Sequence, residues 1–150
     1  MRAKILIVSI LTILMAACNK DQFTTKPQLT FESFSTDIVP APGQLEITLK
    51  YTDKEGDIQD TIYVERRSVN CNTDTLRAFY PLPSNVPEVK NAEGKIVISY
   101  SHAPDFTFPD IGEPTCGTAA DTCIYRFALS DKAGNTSDTI SSPPLIIIKR

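Results

Sequence analysis

Three acidic side chains share one short loop. Asp53, Glu55 and Asp57 occupy alternate positions of the chain, with Gly56 among them. In a curled loop this spacing can turn the three carboxylates toward one point, and hard cations such as calcium require oxygen ligands of this kind. The loop does not follow the EF-hand pattern, because the twelfth position counted from Asp53 is Val64, where that pattern needs a bidentate glutamate. The predicted chemistry is therefore calcium binding by a loop of another geometry.

A second polar turn could add ligands to this acidic loop. Asp131 and Asn135 begin and end the sequence Asp-Lys-Ala-Gly-Asn, in which glycine and asparagine both tolerate a positive φ. Carboxylates gathered at one point repel one another unless an ion lies among them. We expect such an ion to rigidify the loops rather than to catalyse a reaction. The alternative interpretation is that the acidic residues of both turns are solvated and hydrogen-bond their own backbone.

Cys18 is the next residue with a chemistry of its own. It follows two alanines and the apolar run of residues 5–15, which in turn follows the basic residues Arg2 and Lys4. This order is typical of a secretion signal, and the run is shorter than the roughly 20 residues that a membrane span needs. Residues 14–18, Leu-Met-Ala-Ala-Cys, resemble the lipobox of bacterial lipoproteins. The resemblance implies cleavage just before the cysteine and a diacylglycerol on its thiol; the alternative is a buried amino-terminal helix with an incidental cysteine.

The residues after the cysteine have too little apolar surface to fold. Residues 18–27 therefore predict a flexible tether, which places a removed signal at residues 1–17 and a folded domain at residues 28–150. The start Cys-Asn-Lys-Asp resembles the export signal of Bacteroidota surface lipoproteins, in which lysine and acidic residues follow the lipidated cysteine. This resemblance implies a protein held at the outer membrane by its lipid, facing either the periplasm or the cell surface.

Three further cysteines, Cys71, Cys116 and Cys123, remain if Cys18 carries lipid. In an oxidising compartment three thiols permit one disulfide. A bridge from Cys71 to Cys116 leaves Cys123 as a small apolar residue of the core, and pairings of Cys123 with either of the other two stay open. The spacings lack the paired ligands of a zinc site. The single histidine, His102, is expected on an exposed loop.

Alternation of apolar and polar residues predicts strands along most of the chain. The pattern is clearest over residues 44–52, where Leu45 and Ile47 alternate with polar side chains. In the second half, residues 123–129 place aromatic and aliphatic side chains on one face. The prolines before the last strand should bend it, as an edge strand allows. The predicted strands are residues 28–35, 44–52, 61–69, 75–80, 95–100, 123–129, 136–140 and 145–148.

Short strands separated by turns, together with 11 prolines, predict an all-β chain. About seven such strands indicate an antiparallel β-sandwich. The turn at residues 131–135 resembles the end of bacterial immunoglobulin-like domains. With the acidic loop at residues 53–57, the chain resembles a Bacteroidota lipoprotein family that carries both motifs. The resemblance implies an immunoglobulin-like sandwich and an envelope location, with no established activity.

The immunoglobulin strand order bears on the two acidic turns. In that order, the loop after the second strand and the loop after the sixth lie at the same end of the sandwich. Asp131 and Asn135 would then approach Asp53, Glu55 and Asp57. The cysteines Cys71 and Cys116 belong to loops at the opposite end.

Charge limits the partners of the protein. The chain of 150 residues has a net charge of −3, and loss of Arg2 and Lys4 with the signal makes it −5. Its basic residues are scattered, and the largest cluster is Arg66 with Arg67. This balance argues against nucleic acid and anionic lipid as partners. The expected membrane contact is therefore the lipid anchor on Cys18.

Three functions are compatible with these features. The first is a non-enzymatic envelope lipoprotein that acts as a binding or structural module, with a protein or glycan as its partner. The second is an accessory glycan-binding lipoprotein for nutrient uptake, in which Tyr63, Tyr80 and Tyr100 replace the missing tryptophan as sugar platforms. The third is a hydrolase that uses paired carboxylates, although exposed acidic turns on a small sandwich offer little enclosure. We predict the first function and no catalytic residues.

Overall fold

The computed structural model describes residues 23–71, 73, 75–102 and 108–150. Within these ranges the chain forms β-strands and no helix, and two of the strands have only two residues each. Cys18 and the predicted signal of residues 1–17 lie outside the described residues. The strands are β1 (Gln28–Phe34), β2 (Ile38–Val39), β3 (Gln44–Asp53), β4 (Thr61–Ser68), β5 (Thr75–Pro81), β6 (Ala92–Ser101), β7 (Ala120–Ser130), β8 (Ile140–Ser141) and β9 (Leu145–Ile148).

The strands form two sheets packed face to face. Sheet A has the order β1-β3-β6, and sheet B has the order β2-β9-β7-β4-β5, with β8 paired to β7. Neighbouring strands are antiparallel except β2 and β9, which run parallel. This arrangement confirms the predicted immunoglobulin-like β-sandwich.

The core forms where the alternating apolar faces of the two sheets meet. On β3, Leu45, Ile47 and Leu49 are fully buried, and on β7 every second residue from Cys123 to Leu129 is fully or almost fully buried. Burying each leucine or isoleucine side chain stabilises the fold by about 1.5–3 kcal/mol. The same alternation places Arg126 on the outer face of sheet B. Strand periodicity therefore decides which residues pack and which remain available for function.

The last strand corrects one prediction. The structure places β9 between β2 and β7, so it is an interior strand rather than an edge strand. Pro143 and Pro144 precede β9 and therefore interrupt no hydrogen bond of its ladder. The neighbouring strand β2 has only two residues, which is too short for a periodic pattern to predict.

The predicted strand at residues 136–140 is also shorter than expected. Thr136 makes an isolated bridge to Ser130, and regular pairing with β7 is limited to β8. Buried serines take over part of the backbone pairing, since the Ser137 hydroxyl accepts a hydrogen bond of 2.9 Å from the Leu129 amide. The Ser142 hydroxyl accepts one of 3.0 Å from the Tyr125 amide.

A disulfide closes one end of the sandwich. Cys71 follows β4 and Cys116 precedes β7, and the two are bonded with a Cα–Cα distance of 6.2 Å. This is the pairing that leaves Cys123 outside the bridge, and Cys123 is fully buried in the core. We call this end the disulfide pole.

His102 lies at the disulfide pole and corrects a second prediction. It is fully buried rather than exposed. Its Nε2 donates a hydrogen bond of 2.6 Å to the Ile148 carbonyl oxygen, and its backbone amide donates one of 2.7 Å to the Gly43 carbonyl oxygen. The histidine therefore joins the end of β6 to the end of β9. The sequence around His102 did not show that its side chain is buried.

Candidate metal site at the acidic pole

The other end of the sandwich gathers three carboxylates. Asp53 is the last residue of β3, Asp57 lies in the loop that follows, and Asp131 is the first residue after β7. The two loops are joined by a hydrogen bond of 2.9 Å from the Lys132 amide to the Asp57 carbonyl oxygen. Each aspartate offers one carboxylate oxygen, and these oxygens lie within 4.8 Å of one another. We call this end the acidic pole.

Two oxygens of this group lack the hydrogen bonds that buried acceptors normally have. Asp53 has an exposed fraction of 0%, and its Oδ2 accepts a hydrogen bond from the Gly56 amide. Among the described residues, no donor reaches the buried Asp53 Oδ1 or the buried Asp57 Oδ1. The large majority of buried side-chain polar atoms in native proteins have a hydrogen-bond partner. Other buried atoms of the described residues, such as His102 Nδ1, also lack a partner, so the close spacing of the three carboxylates is what makes these two oxygens a candidate ion site.

The acidic loop turns sharply at Gly56. Its φ is +76°, a conformation that residues with a Cβ rarely adopt, and a Cβ at this position would collide with the Val89 carbonyl oxygen. The turn directs the Gly56 amide back at Asp53. The glycine thus closes the loop on its own carboxylate.

Asn135 holds Asp131 in place. The Asn135 backbone amide donates a hydrogen bond of 2.7 Å to Asp131 Oδ1, and its side-chain amide donates one of 2.8 Å to Asp131 Oδ2. Asp131 has an exposed fraction of only 1%. The structure therefore gives Asn135 a positioning role, with its side-chain nitrogen turned toward Asp131.

Glu55 lies outside the group of close carboxylates. Its side chain is exposed, and it accepts a hydrogen bond of 3.2 Å from the Thr25 hydroxyl. The segment before β1 contacts this region twice more: the Lys54 amide donates to the Thr24 carbonyl oxygen, and Lys26 pairs with Asp138 at 2.6 Å. The end of the predicted tether thus lies against the acidic pole.

Electrostatics makes an ionised Asp53 unfavourable when no cation is present. Burial raises the pKa of the Asp53 carboxyl above its ordinary value, and the neighbouring charges of Asp57 and Glu55 raise it further. The backbone amides of Gly56 and Asp57 lower the pKa of Asp53 by a smaller amount. A cation beside the carboxylate would reverse the balance because it favours the charged form.

The spacing of the carboxylate oxygens fits calcium. Calcium binds oxygen at 2.3–2.6 Å, so two ligands of one ion lie at most about 5.2 Å apart. The oxygens of Asp53, Asp57 and Asp131 satisfy this limit. Three carboxylates supply part of the six to eight oxygen ligands that calcium takes, and water or backbone carbonyl groups can supply the others.

The tyrosines predicted as sugar platforms occupy three different environments. Tyr100 is buried in the core, with 2% exposed, so the prediction is wrong for this residue. Tyr80 lines a cavity of about 420 Å³ between the sheets. Tyr63 alone of the three lies on the outer face of sheet B, beside its cross-strand partner Phe79.

Sequence reasoning missed one charged cluster. Glu65 is buried on the outer side of sheet B and pairs with Arg67, Arg77 and Arg126. The residues come from three strands, so no spacing along the chain reveals the cluster. In the sequence, the only indication of the cluster is that Glu65 and Arg67 both occupy outward positions of the predicted strand β4.

Comparisons with known proteins give no family. No protein-family profile and no curated protein matches the chain. The described residues contain no helix long and apolar enough to cross a membrane.

Solved structures give only distant likenesses of the fold. Spo0M, a sporulation control protein from Bacillus subtilis, matches with a TM-score of 0.41 and 13% identity, over 85% of this chain and 51% of that one. A Listeria innocua β-glucosidase in complex with gluconolactone matches with a TM-score of 0.39 and 10% identity, over 81% and 16%. A Niemann-Pick type C2 protein from Japanese carpenter ant matches with a TM-score of 0.38 and 10% identity, over 87% and 98%. The chain thus spans about half the length of Spo0M, and likenesses at this distance carry no argument about function.

Proposed function

We propose that the protein is a non-enzymatic lipoprotein of the cell envelope, a binding or structural module whose acidic pole is held together by calcium. The observation that carries the calcium proposal is the pair of buried, unpaired oxygens, Asp53 Oδ1 and Asp57 Oδ1, beside Asp131. The lipoprotein assignment rests on Cys18 and the signal-like residues before it. Its expected address is the outer membrane, with the domain facing the periplasm or the outside.

Bound calcium would offset both the unpaired oxygens and the repulsion between carboxylates at the acidic pole. Each unpaired buried acceptor costs about 1–3 kcal/mol, and like charges close together add to that cost. A divalent cation supplies both the missing partners and the opposite charge. Extracellular modules bind calcium with dissociation constants of about 10⁻⁴–10⁻³ M, which suits an envelope protein with few protein ligands.

The ion would act on the end of the domain that continues into the tether. Thr24, Thr25 and Lys26 contact residues of this end, and the chain continues from there toward Cys18. Fixing the acidic loop would therefore also fix the direction in which the domain leaves its lipid anchor. This gives the ion a structural role with a consequence for how the domain is presented.

The cavity between the sheets gives no support to the hydrolase alternative. Its described lining consists mainly of apolar side chains, such as Ile58, Ile62 and Ile98. None of the three aspartates of the acidic pole is among the lining residues. Catalytic carboxylates normally face the substrate inside such an enclosure. The pole therefore suits ion binding better than acid-base catalysis.

Calorimetric titration of the purified protein with calcium tests the proposed site. We expect one ion to bind per chain and binding to be lost in Asp53→Asn/Asp57→Asn, because that variant removes two of the three charges. Glu55→Gln is the matched control, since it removes an acidic charge from the same loop but outside the group. Absence of binding, or equal loss in the control, would contradict the proposal.

Metabolic labelling with an alkyne fatty acid in a bacterial host that processes lipoproteins tests the anchor. The intact precursor should incorporate the label and fractionate with membranes, whereas Cys18→Ala should do neither. Cys123→Ala is the control, because it removes a cysteine that the lipobox does not include. Labelling that persists in Cys18→Ala would refute lipidation at this residue.

A second candidate function, glycan binding for nutrient uptake, is favoured by one observation. Tyr63 packs against Phe79 on the outer face of sheet B, with ring centroids 5.1 Å apart. Phe79 has an exposed fraction of 68%, which is unusual for so large an apolar ring. An exposed aromatic ring on the outer face of a sheet is a suitable platform for a sugar ring.

A further inference from the structure

The cluster around Glu65 is built from three strands of sheet B. Arg77 on β5 and Arg126 on β7 are the cross-strand neighbours of Glu65. Arg67 lies two positions along β4 and therefore on the same face. Three hydrogen bonds and one further ion-pair contact from Arg67, each 3.0 Å long, join the three guanidinium groups to the two Glu65 carboxylate oxygens. We call these four residues the arginine cluster.

The positive charge of the arginine cluster exceeds the negative charge of Glu65. Three guanidinium groups surround one carboxylate, which leaves a local charge of +2 in a chain whose net charge is −3. Glu65 is buried, whereas the side chains of Arg67, Arg77 and Arg126 are exposed by 49%, 61% and 37%. A guanidinium group has five N–H donors, and each arginine uses only one or two of them on Glu65. Donors therefore remain for an anion that approaches from solvent.

Glu65 keeps the arginine side chains in fixed positions. Burial alone would raise the pKa of the Glu65 carboxyl, but the hydrogen bonds from Arg67 and Arg77 and the nearby charges lower it below its ordinary value. The carboxylate thus stays ionised at neutral pH. Pre-positioned guanidinium groups lose less conformational entropy on binding than mobile surface side chains.

The aromatic pair of Tyr63 and Phe79 adjoins this cluster. The pair is the next cross-strand pair on the same face after Glu65 and Arg77, about 7 Å along the strands. Arg77 is the diagonal cross-strand neighbour of Tyr63, so their side chains are within reach of each other on this face. One continuous surface therefore offers an exposed ring and fixed guanidinium groups side by side.

We propose that this surface binds an acidic saccharide, one that carries carboxylate or sulfate groups. The C–H face of a sugar ring packs on the Phe79 ring, whose face carries partial negative charge. The anionic group accepts paired hydrogen bonds from a guanidinium group, the strongest geometry for such contacts. The inference rests on the second candidate function and gives it a site and a ligand class; it is independent of calcium at the acidic pole.

A saccharide fits the surface better than a membrane does. Anionic membranes attract proteins through many basic residues spread over a face, each worth about 1 kcal/mol. The basic residues here are instead concentrated on one carboxylate, in a chain that is acidic overall. A neutral glycan could pack on the aromatic rings but would have no anionic group to accept hydrogen bonds from the guanidinium groups.

Affinity electrophoresis of the purified protein tests the ligand class. Gels containing polygalacturonate offer carboxylate groups, gels containing dextran sulfate offer sulfate groups, and gels containing dextran offer neither. All gels contain a chelator, since acidic polysaccharides bind calcium themselves. We expect retardation by at least one acidic polymer and none by dextran; the two acidic gels identify the preferred anion. Absence of retardation in both acidic gels, or equal retardation by dextran, would overturn the proposal.

Substitutions on the two faces of the sandwich locate the binding surface. Arg77→Gln and Phe79→Ser should each weaken binding about tenfold, the effect of losing one contact of this strength. Arg77→Lys keeps the positive charge but loses the paired donors of the guanidinium group. Its affinity should therefore lie between those of the unchanged protein and Arg77→Gln. Lys50→Gln on the exposed face of sheet A is the matched control and should bind like the unchanged protein.

Three outcomes would overturn the assigned surface. The first is equal weakening in Lys50→Gln, which would indicate nonspecific attraction. The second is normal saccharide binding in Phe79→Ser and Arg77→Gln. The third is binding of the unchanged protein to phosphatidylglycerol vesicles with no binding to saccharides. Thermal melts of each variant verify the fold, and Arg67 and Arg126 still pair with Glu65 when Arg77 is replaced. The calcium titration has a separate readout, so either proposal can fail without the other.

Discussion

The two ends of the sandwich connect their loops by different means. At the disulfide pole, a covalent bond between Cys71 and Cys116 joins the loop after β4 to the segment before β7. At the acidic pole, the loop before β4 meets the loop after β7 through one backbone hydrogen bond and a group of three carboxylates. The first connection is complete in the protein itself. The second brings like charges together and leaves buried oxygens without donors.

This difference separates a structural device from a candidate functional one. The bond between Cys71 and Cys116 accounts for both cysteines without any ligand. The acidic pole contains groups whose cost the protein does not offset, namely the unpaired oxygens of Asp53 and Asp57. Unpaired buried oxygens within a group of three close carboxylates are groups that a bound cation would satisfy. We therefore propose ligand binding for the acidic pole, whereas the bond at the disulfide pole needs no ligand.

Opening the disulfide pole should have the largest effect. Cys71→Ala/Cys116→Ala should lower the free energy of unfolding by about 2–4 kcal/mol, because the bridge closes a segment of 45 residues. The loss should be the same with calcium and with chelator. Denaturant titrations in both conditions measure it. A loss that depends strongly on calcium would show that the two ends are coupled and would break the comparison.

Distorting the acidic loop should have the next largest effect. Gly56→Ala should destabilise the protein by about 2–3 kcal/mol, because the new Cβ meets the Val89 carbonyl group in a conformation that already disfavours alanine. Gly134→Ala is the matched control, since Gly134 also has a positive φ but open space around it. Its cost should be about 1 kcal/mol. Equal costs in thermal melts would show that packing against Val89 is unimportant.

Removing the buried charge of Asp53 should change the stability of the protein by a smaller amount and should increase it. In chelator, Asp53→Asn should stabilise the protein by about 1 kcal/mol, because the neutral side chain keeps an acceptor for Gly56 and avoids the cost of a buried charge. Glu55→Gln should change stability by less than about 0.5 kcal/mol, since Glu55 is exposed. Destabilisation by Asp53→Asn in chelator would show that the charge is compensated within the protein.

The smallest expected effect is a pH dependence of the stabilisation by calcium, which also tests the buried charge of Asp53. Because burial raises the pKa of folded Asp53, its contribution to stability without calcium is present below the unfolded pKa and is lost as pH rises through the raised value. Calcium binds the deprotonated form, so its stabilising effect should grow as pH rises. Melting temperatures from pH 4 to 8, with calcium minus with chelator, measure this difference and cancel groups such as Glu65. A difference that is constant with pH would contradict the assignment.

Much of the fold could be predicted from local patterns. The alternation around Leu45 and Ile47 predicts β3, and the immunoglobulin strand order predicts the approach of Asp131 to Asp53 that the structure shows. The two-residue β2 and the interior position of β9 were not predictable, because they depend on pairing between distant segments. The burial of His102 was not predicted for a similar reason: it depends on contacts with Gly43 and Ile148, which are distant in the sequence.

The details of the candidate site depended on backbone geometry. The spacing predicted that a curled loop would turn Glu55 toward the same point as Asp53 and Asp57. The chain instead bends at residues 54–55, directly after β3 ends, and leaves the Glu55 side chain exposed. The arginine cluster escaped prediction because its members meet only across strands.

The most direct test of the account is a pair of thermal melts of the purified protein, with calcium and with chelator, repeated on Asp53→Asn/Asp57→Asn. With a dissociation constant of the extracellular class, about 10 mM calcium should raise the melting temperature by about 5–10 °C, and the double variant should show no shift. Identical curves for the unchanged protein in the two conditions would contradict the claim that calcium completes the acidic pole.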